Sequence, residues 1–310
     1  MVKHSAENRL SSTDKKVVMF VGKGGVGKTT CAAATALHYS LNGNKTLAIS
    51  TDPTPSLGHI FETGRCTQRT SINNGLLIDE IGVEKAKEMW DGKFGREVYE
   101  VFSSFVDVDY QRFLDFVTEV LPGLKDEFMV DYTRELALGG DFGKIIWDTA
   151  PLGQTLGLLG MPSLLRDHLK TAPRIYSSIR LGGESKRSVM NILSGWEELS
   201  ALDMEFLRTE VEFMLVTIPE ALAVEQLEDI LAELRRYGIT LKRLIVNNVI
   251  MDTGSEFLAA LARQQKEYLD RLYDTYADLA IIELARFPHE IKGLEKLRLV
   301  EAALYGKKTA

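Results

Sequence analysis

The stretch from Val17 to Thr30, VVMFVGKGGVGKTT, limits the possible fold more than any other part of this 310-residue chain. An apolar run, Val17 to Val21, leads directly into Gly22-Lys23-Gly24-Gly25-Val26-Gly27-Lys28-Thr29-Thr30, and small residues at helical spacing follow from Cys31 to Leu37. The order is strand, glycine loop, helix start, and the spacing fits G-x-x-x-x-G-K-[ST]. Glycines let the backbone curl until successive N–H groups face one anion. The helix that begins near Lys28 turns its positive end toward the same place. The Lys28 ammonium can reach the β- and γ-phosphates of a nucleotide, and the Thr29 hydroxyl can ligate Mg²⁺. Lys23, Gly24, Gly25, Val26, Gly27, Lys28, Thr29 and Thr30 are therefore the expected phosphate-binding segment. A glycine turn without a ligand is the alternative, and the strand-before, helix-after context argues against it.

Lys23, directly after the first glycine, is not required by such a loop. It is either a solvated surface lysine or a second cation that reaches the γ-phosphate held by another subunit, where it would stabilise charge as an arginine finger does.

Two aspartates end apolar runs. Thr46 to Ser50 reads as a buried strand followed by Thr51-Asp52-Pro53. On position alone Asp52 could orient or deprotonate an attacking water, or simply form an Asp-Pro turn. Lys144 to Asp148, KIIWD, followed by Thr149-Ala150-Pro151-Leu152-Gly153-Gln154-Thr155, reads as a Walker B strand with its switch loop. Asp148 would hold Mg²⁺ through water. Strands expected at Val211 to Thr217, Leu241 to Asn248 and Leu279 to Glu283, with helices at Ala221 to Tyr237 and Glu256 to Ala277, complete an alternating pattern. It predicts an α/β fold with a doubly wound, mainly parallel sheet. Glu220 and Asn247, at strand ends, are candidates to ring the nucleotide base, since an Asn amide can bond both edges of a purine. The bland reading of Asn247 is a turn residue.

Between Leu57 and Lys144 the alternation lapses, apart from an expected strand at Leu76 to Ile81. Apolar residues recur at helical spacing through Phe94 to Val106, Tyr110 to Val120 and Pro122 to Leu138, a span too long for a simple crossover. Met161 to Ile179 and Lys186 to Leu207 are helical as well. These stretches predict a helical insertion whose leftover apolar surface could bind an amphipathic or transmembrane helix. The final helix, Ile291 to Leu304, is amphipathic. It could lie on a membrane surface, but packing against the sheet is the stronger expectation.

The net charge of −7 gives no electrostatic support for a nucleic-acid partner. Two cysteines, Cys31 and Cys66, cannot build a disulfide framework or a four-thiolate zinc site within one chain. No apolar run approaches the roughly 20 residues of a membrane span, and Met1 to Lys16 lacks a signal-peptide core. A cytoplasmic protein with a flexible N-terminus, residues 1–16, is expected, followed by a single ATPase domain over residues 17–310.

A lysine placed like Lys23 defines the deviant Walker A group of P-loop ATPases. The series Lys23 to Thr30, Ser50-Thr51-Asp52-Pro53, Asp148-Thr149-Ala150-Pro151, Ile218-Pro219-Glu220, Val246-Asn247 and Glu290-Ile291-Lys292-Gly293-Leu294 resembles, in order, the ArsA and tail-anchored-protein targeting ATPases within that group. The resemblance runs from Val17 to Leu304. It implies an ATP-hydrolysing homodimer with ATP and Mg²⁺ as ligands. Lys23 and Lys28 would act on the phosphates, Asp52 on the water, and Thr29 and Asp148 on Mg²⁺. Glu220 would lie near the nucleotide and Asn247 on adenine, and the loop Phe287, Pro288, His289, Glu290, Ile291, Lys292 and Gly293 would close over the base. It further implies that the helical subdomain, at about 85–138 and 161–207, holds the hydrophobic tail-anchor helix of a client, with a membrane receptor as a further partner. Rival readings are an ATPase coupled to an arsenite-type transporter and a MinD-like membrane-associated ATPase. The chain departs from the pattern at Pro55 and Gln154, where histidines are usual. It also lacks the Cys-x-x-Cys expected near Phe257 to Arg263 and the arsenite-binding cysteine triad. No zinc is expected.

Overall fold

The computed structural model describes residues 9–51, 56–103, 107–114, 122–149, 183–251 and 254–306, together with Asp167. The strands are β1 (Val17–Gly22), β2 (Thr46–Ser50), β3 (Thr70–Asn73), β4 (Leu76–Glu80), β5 (Lys144–Asp148), β6 (Val211–Thr217), β7 (Arg243–Val249) and β8 (Ala280–Ala285). They form one eight-stranded sheet in the order β3-β4-β2-β5-β1-β6-β7-β8. Every neighbouring pair is parallel except β3 with β4. Every residue of β1, β2 and β5 is buried, as expected of parallel strands covered on both faces. This is the doubly wound α/β fold that the alternating pattern predicts.

The chain divides into two units. The first comprises Met1–Ile81, Gly139–Thr155 and Glu210–Ala310; the second comprises Gly82–Leu138 and Leu156–Thr209.

In the first unit, helix α1 (Lys28–Leu41) buries Ala32, Ala33, Ala34 and Ala36. Small side chains on that face let it lie close to the strands. Helix α2 (Leu57–Ile60) follows β2 in the chain. The helix expected over Ala221 to Tyr237 is interrupted at Gln226, giving α7 (Ala221–Glu225) and α8 (Leu227–Arg236). Helices α9 (Glu256–Thr275) and α10 (Gly293–Tyr305) complete the unit. Leu297, Val300 and Leu304 of α10 are each 0% exposed, so its apolar stripe belongs to the core. Strand β3 carries no apolar alternation and is half exposed, which is why periodicity misses it.

Residues 9–16 fall within the lead-in that polarity reads as loose. Leu10 is buried, and its N–H donates to the Leu304 carbonyl at 2.8 Å. The Lys144 ammonium donates to the Lys15 carbonyl at 2.6 Å and to that of Thr13, while the Thr13 N–H donates to the Tyr39 hydroxyl at 2.9 Å.

The described part of the second unit is mainly helical. It holds α3 (Val83–Trp90), a π-helical turn at Asp91–Gly95, α4 (Arg96–Ser103), α5 (Pro122–Leu138) and α6 (Gly183–Thr209). Aromatic rings pack edge to face at Phe94 with Phe128 and at Tyr99 with Tyr110 and Phe113. Through this interior runs a chain of charges. Lys93 bonds Asp131 and Glu135, and Arg134 bonds Asp131 at 2.5 Å and Asp203 at 2.6 Å. Arg134 thereby ties α5 to α6. Most of the expected helix at Met161 to Ile179 lies outside the described residues.

Candidate functional site

In the first unit the loop after β1 and the ends of β2, β5 and β7 all open on the C-terminal edge of the sheet, where such sheets bind ligands. Register places Asp148 beside Phe20 on one side and Ser50 on the other. Strand order reverses at β1, since β2 lies beyond β5 on one side and β6 lies on the other.

The segment expected to bind phosphate forms a turn into α1. Gly25 and Gly27 adopt φ of 79° and 96°, conformations that L side chains resist. Gly27 is the residue before the helix. A Cβ there would collide with the side-chain amide nitrogen of Asn247. That amide donates to the Val26 carbonyl at 2.8 Å, so loop and β7 touch directly. Lys28 is buried, and its ammonium donates to the Lys23 carbonyl at 3.1 Å, which draws it back over the turn. Lys23 itself is half-buried and Gly24 is exposed.

Beside the loop is a cluster of oxygen donors. The Thr29 hydroxyl donates to Asp148 Oδ2 at 2.8 Å, and the Ser50 hydroxyl reaches the same oxygen at 3.4 Å. The Ser56 hydroxyl lies 3.4 Å from that of Thr29. One carboxylate with three hydroxyls is a hard-cation donor set, so these residues fit Mg²⁺ by their chemistry. Cys31 on α1 does not add to it. Burial, and then the Asp148 carboxylate, push its thiol up to about 12, which keeps it protonated.

A cleft of about 280 Å³ opens next to the loop. It brings together six of the expected residues, Thr30, Asn247, Phe287, His289, Glu290 and Ile291. Pro288 and Lys292 belong to the same loop without lining the cleft, Gly293 opens α10, and Glu220 sits exposed at the N-cap of α7. Asp52 lies outside the described residues, as do Gly153 and Gln154.

The cleft also contains side chains that no motif marked. His59 and Ile60 come from α2, Asn248 from the end of β7, and Arg286 from the end of β8. His59 faces Glu290 across 3.6 Å. Helix α2 is held in place by Glu80, whose carboxylate accepts from the Gly58 N–H at 3.1 Å and the Cys66 N–H at 3.3 Å. In the sequence Glu80 is only a charged residue closing an expected strand, so its role depends on a fold that brings residues 58 and 66 to it.

With this geometry in hand, comparison with known proteins is specific. A sequence model of the Anion-transporting ATPase (ArsA) family matches residues 15–306. An Aquifex aeolicus (strain VF5) protein named as an arsenical pump-driving ATPase is 30% identical over 295 residues, covering 91% of this chain and 97% of its own. Arabidopsis thaliana ATPase GET3A is 28% identical, covering 95% and 85%. Schizosaccharomyces pombe (strain 972 / ATCC 24843) ATPase get3 is 26% identical, covering 94% and 92%. Among the described residues no helix is long and apolar enough to cross a membrane. A matched span that takes in the phosphate loop, both strand-end clusters and the cleft settles the assignment: the chain belongs to the anion-transporting ATPase family and is an ATPase.

Proposed function

We propose that this ATPase works as a Mg-ATP-switched homodimer that shields the hydrophobic tail-anchor helices of client proteins. The observation that carries the proposal is the chain path. The helical unit is spliced into the ATPase unit after β4 and again a few residues after β5, at Leu156. A γ-phosphate felt at Asp148 is thus read by the segment that leads into the helices. Exposed leucines of that unit, Leu138 at 74% and Leu202 at 55%, supply apolar surface of the kind a client would use.

In this reading Lys28 and the N–H groups of the glycine loop bind the β- and γ-phosphates, and Lys23 serves the γ-phosphate of the partner subunit. Thr29 and Asp148 would hold Mg²⁺, which would supply positive charge against the phosphates. Asp52 takes the proton of the attacking water, giving ADP and phosphate. Asn247 and the loop Phe287 to Gly293 enclose adenine, and Glu220 approaches the nucleotide. The dimer forms without zinc, since the chain offers no Cys-x-x-Cys.

The name of the Aquifex relative suggests coupling to an arsenical pump instead. Both cysteines here are buried, and the Cys31 thiol is held protonated, so neither is a ready arsenical ligand. The discriminating experiment is coexpression with a tail-anchored protein, sized with and without its terminal apolar helix. Helix-dependent capture, stabilised by Asp52→Asn, is expected. ATPase activity stimulated by arsenite, with no capture, would replace this reading with the pump-coupled one.

A further inference from the structure

The cleft wall at the end of β7 is built in an unusual way. The pairing of β7 with β8 runs Val246 against Glu283, then resumes at Val249 against Ala285. Three steps along β7 match two along β8, so one residue is extra and the strand bulges at Asn247 and Asn248. Asn248 takes the left-handed conformation, with φ of 60°. That conformation is tolerated by asparagine at a modest cost and needs support from its surroundings.

The support comes from α9. Gln265 Nε2 donates to the Asn248 carbonyl at 3.0 Å, and Gln265 Oε1 accepts from the Ile250 N–H at 2.8 Å. A parallel strand would bond residues 248 and 250 in this same pattern, so one side-chain amide stands in for a missing strand. Its orientation is dictated by its partners, because a carbonyl needs a donor and an N–H needs an acceptor. On the other edge the Arg286 N–H donates to the Val249 carbonyl at 2.8 Å. The bulge is therefore held from both sides, and Asn247 is aimed at the Val26 carbonyl and the cleft. Gln265 itself does not line the cleft.

The geometry points to Gln265 as the positioning residue for base recognition: by fixing the β7 bulge it sets the direction of Asn247 and so the preference for adenine over guanine nucleotides. This rests on the reading of the cleft as the base site. Removing the clamp frees the bulge to relax toward ordinary strand geometry, which turns Asn247 away from the cleft and gives up its bond to the Val26 carbonyl, while Lys28 keeps its place on the triphosphate.

The test uses the full chain with Gln265→Met, which keeps the length of the side chain, and Gln265→Glu, which keeps the acceptor for Ile250 and loses the donor for Asn248. Steady-state hydrolysis of ATP and GTP is measured, with inorganic tripolyphosphate as a competitive probe of the phosphate loop alone. KM for ATP is expected to rise about tenfold, the scale of one lost bridging amide, with kcat within about twofold and the ATP-over-GTP preference falling by a similar factor. Tripolyphosphate inhibition should weaken by much less than ATP binding does. A preserved preference in either folded variant, or equal losses for ATP and tripolyphosphate, would overturn the assignment. Asn247→Ala run alongside separates the two levels. If it leaves the preference intact, the cleft is not the base site and the inference goes with it; if it abolishes the preference while Gln265→Met does not, only Gln265 is at fault.

Discussion

Replacing Gly27 by alanine places a single methyl where the loop, the helix start and the cleft meet. Two costs can be read from the structure. The residue sits at φ of 96° and ψ of 23°, and a left-handed conformation costs an L-residue about 1–2 kcal/mol. The new methyl also collides with the Asn247 amide, whose bond to the Val26 carbonyl at 2.8 Å is worth about 1 kcal/mol. The sum is about 2–3 kcal/mol. If the loop keeps its shape, the whole amount appears as lost stability. If it relaxes, part of the amount moves into nucleotide affinity, at tenfold for each ~1.4 kcal/mol. Urea unfolding without nucleotide and calorimetric titration with Mg-ATP together capture both routes, and their losses should add to that total. The collision has a signature of its own, because Asn247→Ala removes the group that is struck. In a double-mutant cycle Gly27→Ala should cost about 1 kcal/mol less in the Asn247→Ala background. Wild-type stability and wild-type affinity in Gly27→Ala would refute both the strain and the contact.

Two further outcomes test the rest of the molecule. Burial pushes the Asp203 carboxyl from 3.8 up to about 7, against the pull of Arg134. An acid raised on folding holds a proton that the unfolded chain has released, so its contribution is complete below about pH 4 and is lost as pH rises through about 7. Asp203→Asn should abolish a stability decline between about pH 4 and pH 7 on the order of a few kcal/mol, and identical pH slopes in urea unfolding of the two proteins would contradict this. Removing residues 1–16 exposes the pocket of Leu10 and strips the buried Lys144 side chain of two carbonyl partners, for an expected loss of about 3–5 kcal/mol, and an unchanged urea midpoint would return that segment to a loose lead-in.

The motifs legible in the sequence are those whose physics is local. A glycine loop between strand and helix has to curl, whatever surrounds it, and VGKGGVGKTT therefore predicts both its backbone and its ligand. Strands buried on both faces read as unbroken apolar runs, so KIIWD and VEFMLVT show their places plainly. Asp52 stands out in the sequence in the same way and lies outside the described residues. The sequence alone thus determined the doubly wound fold and the turn from β1 into α1, and it marked the hydroxyl of Thr29 and the carboxylate of Asp148 that the fold brings together. Only the tertiary structure decided the cleft and what holds it. Asn247 meets Val26 across 221 positions of chain, and Glu80 bonds backbone groups on α2 and at Cys66. Gln265 acts as a strand partner from inside a helix, and Leu10 is buried beneath an otherwise polar lead-in. None of these has a periodic signature, because each depends on a contact between segments that no local rule brings together. A polar side chain at a helix position looks solvated until the fold shows which backbone group it satisfies.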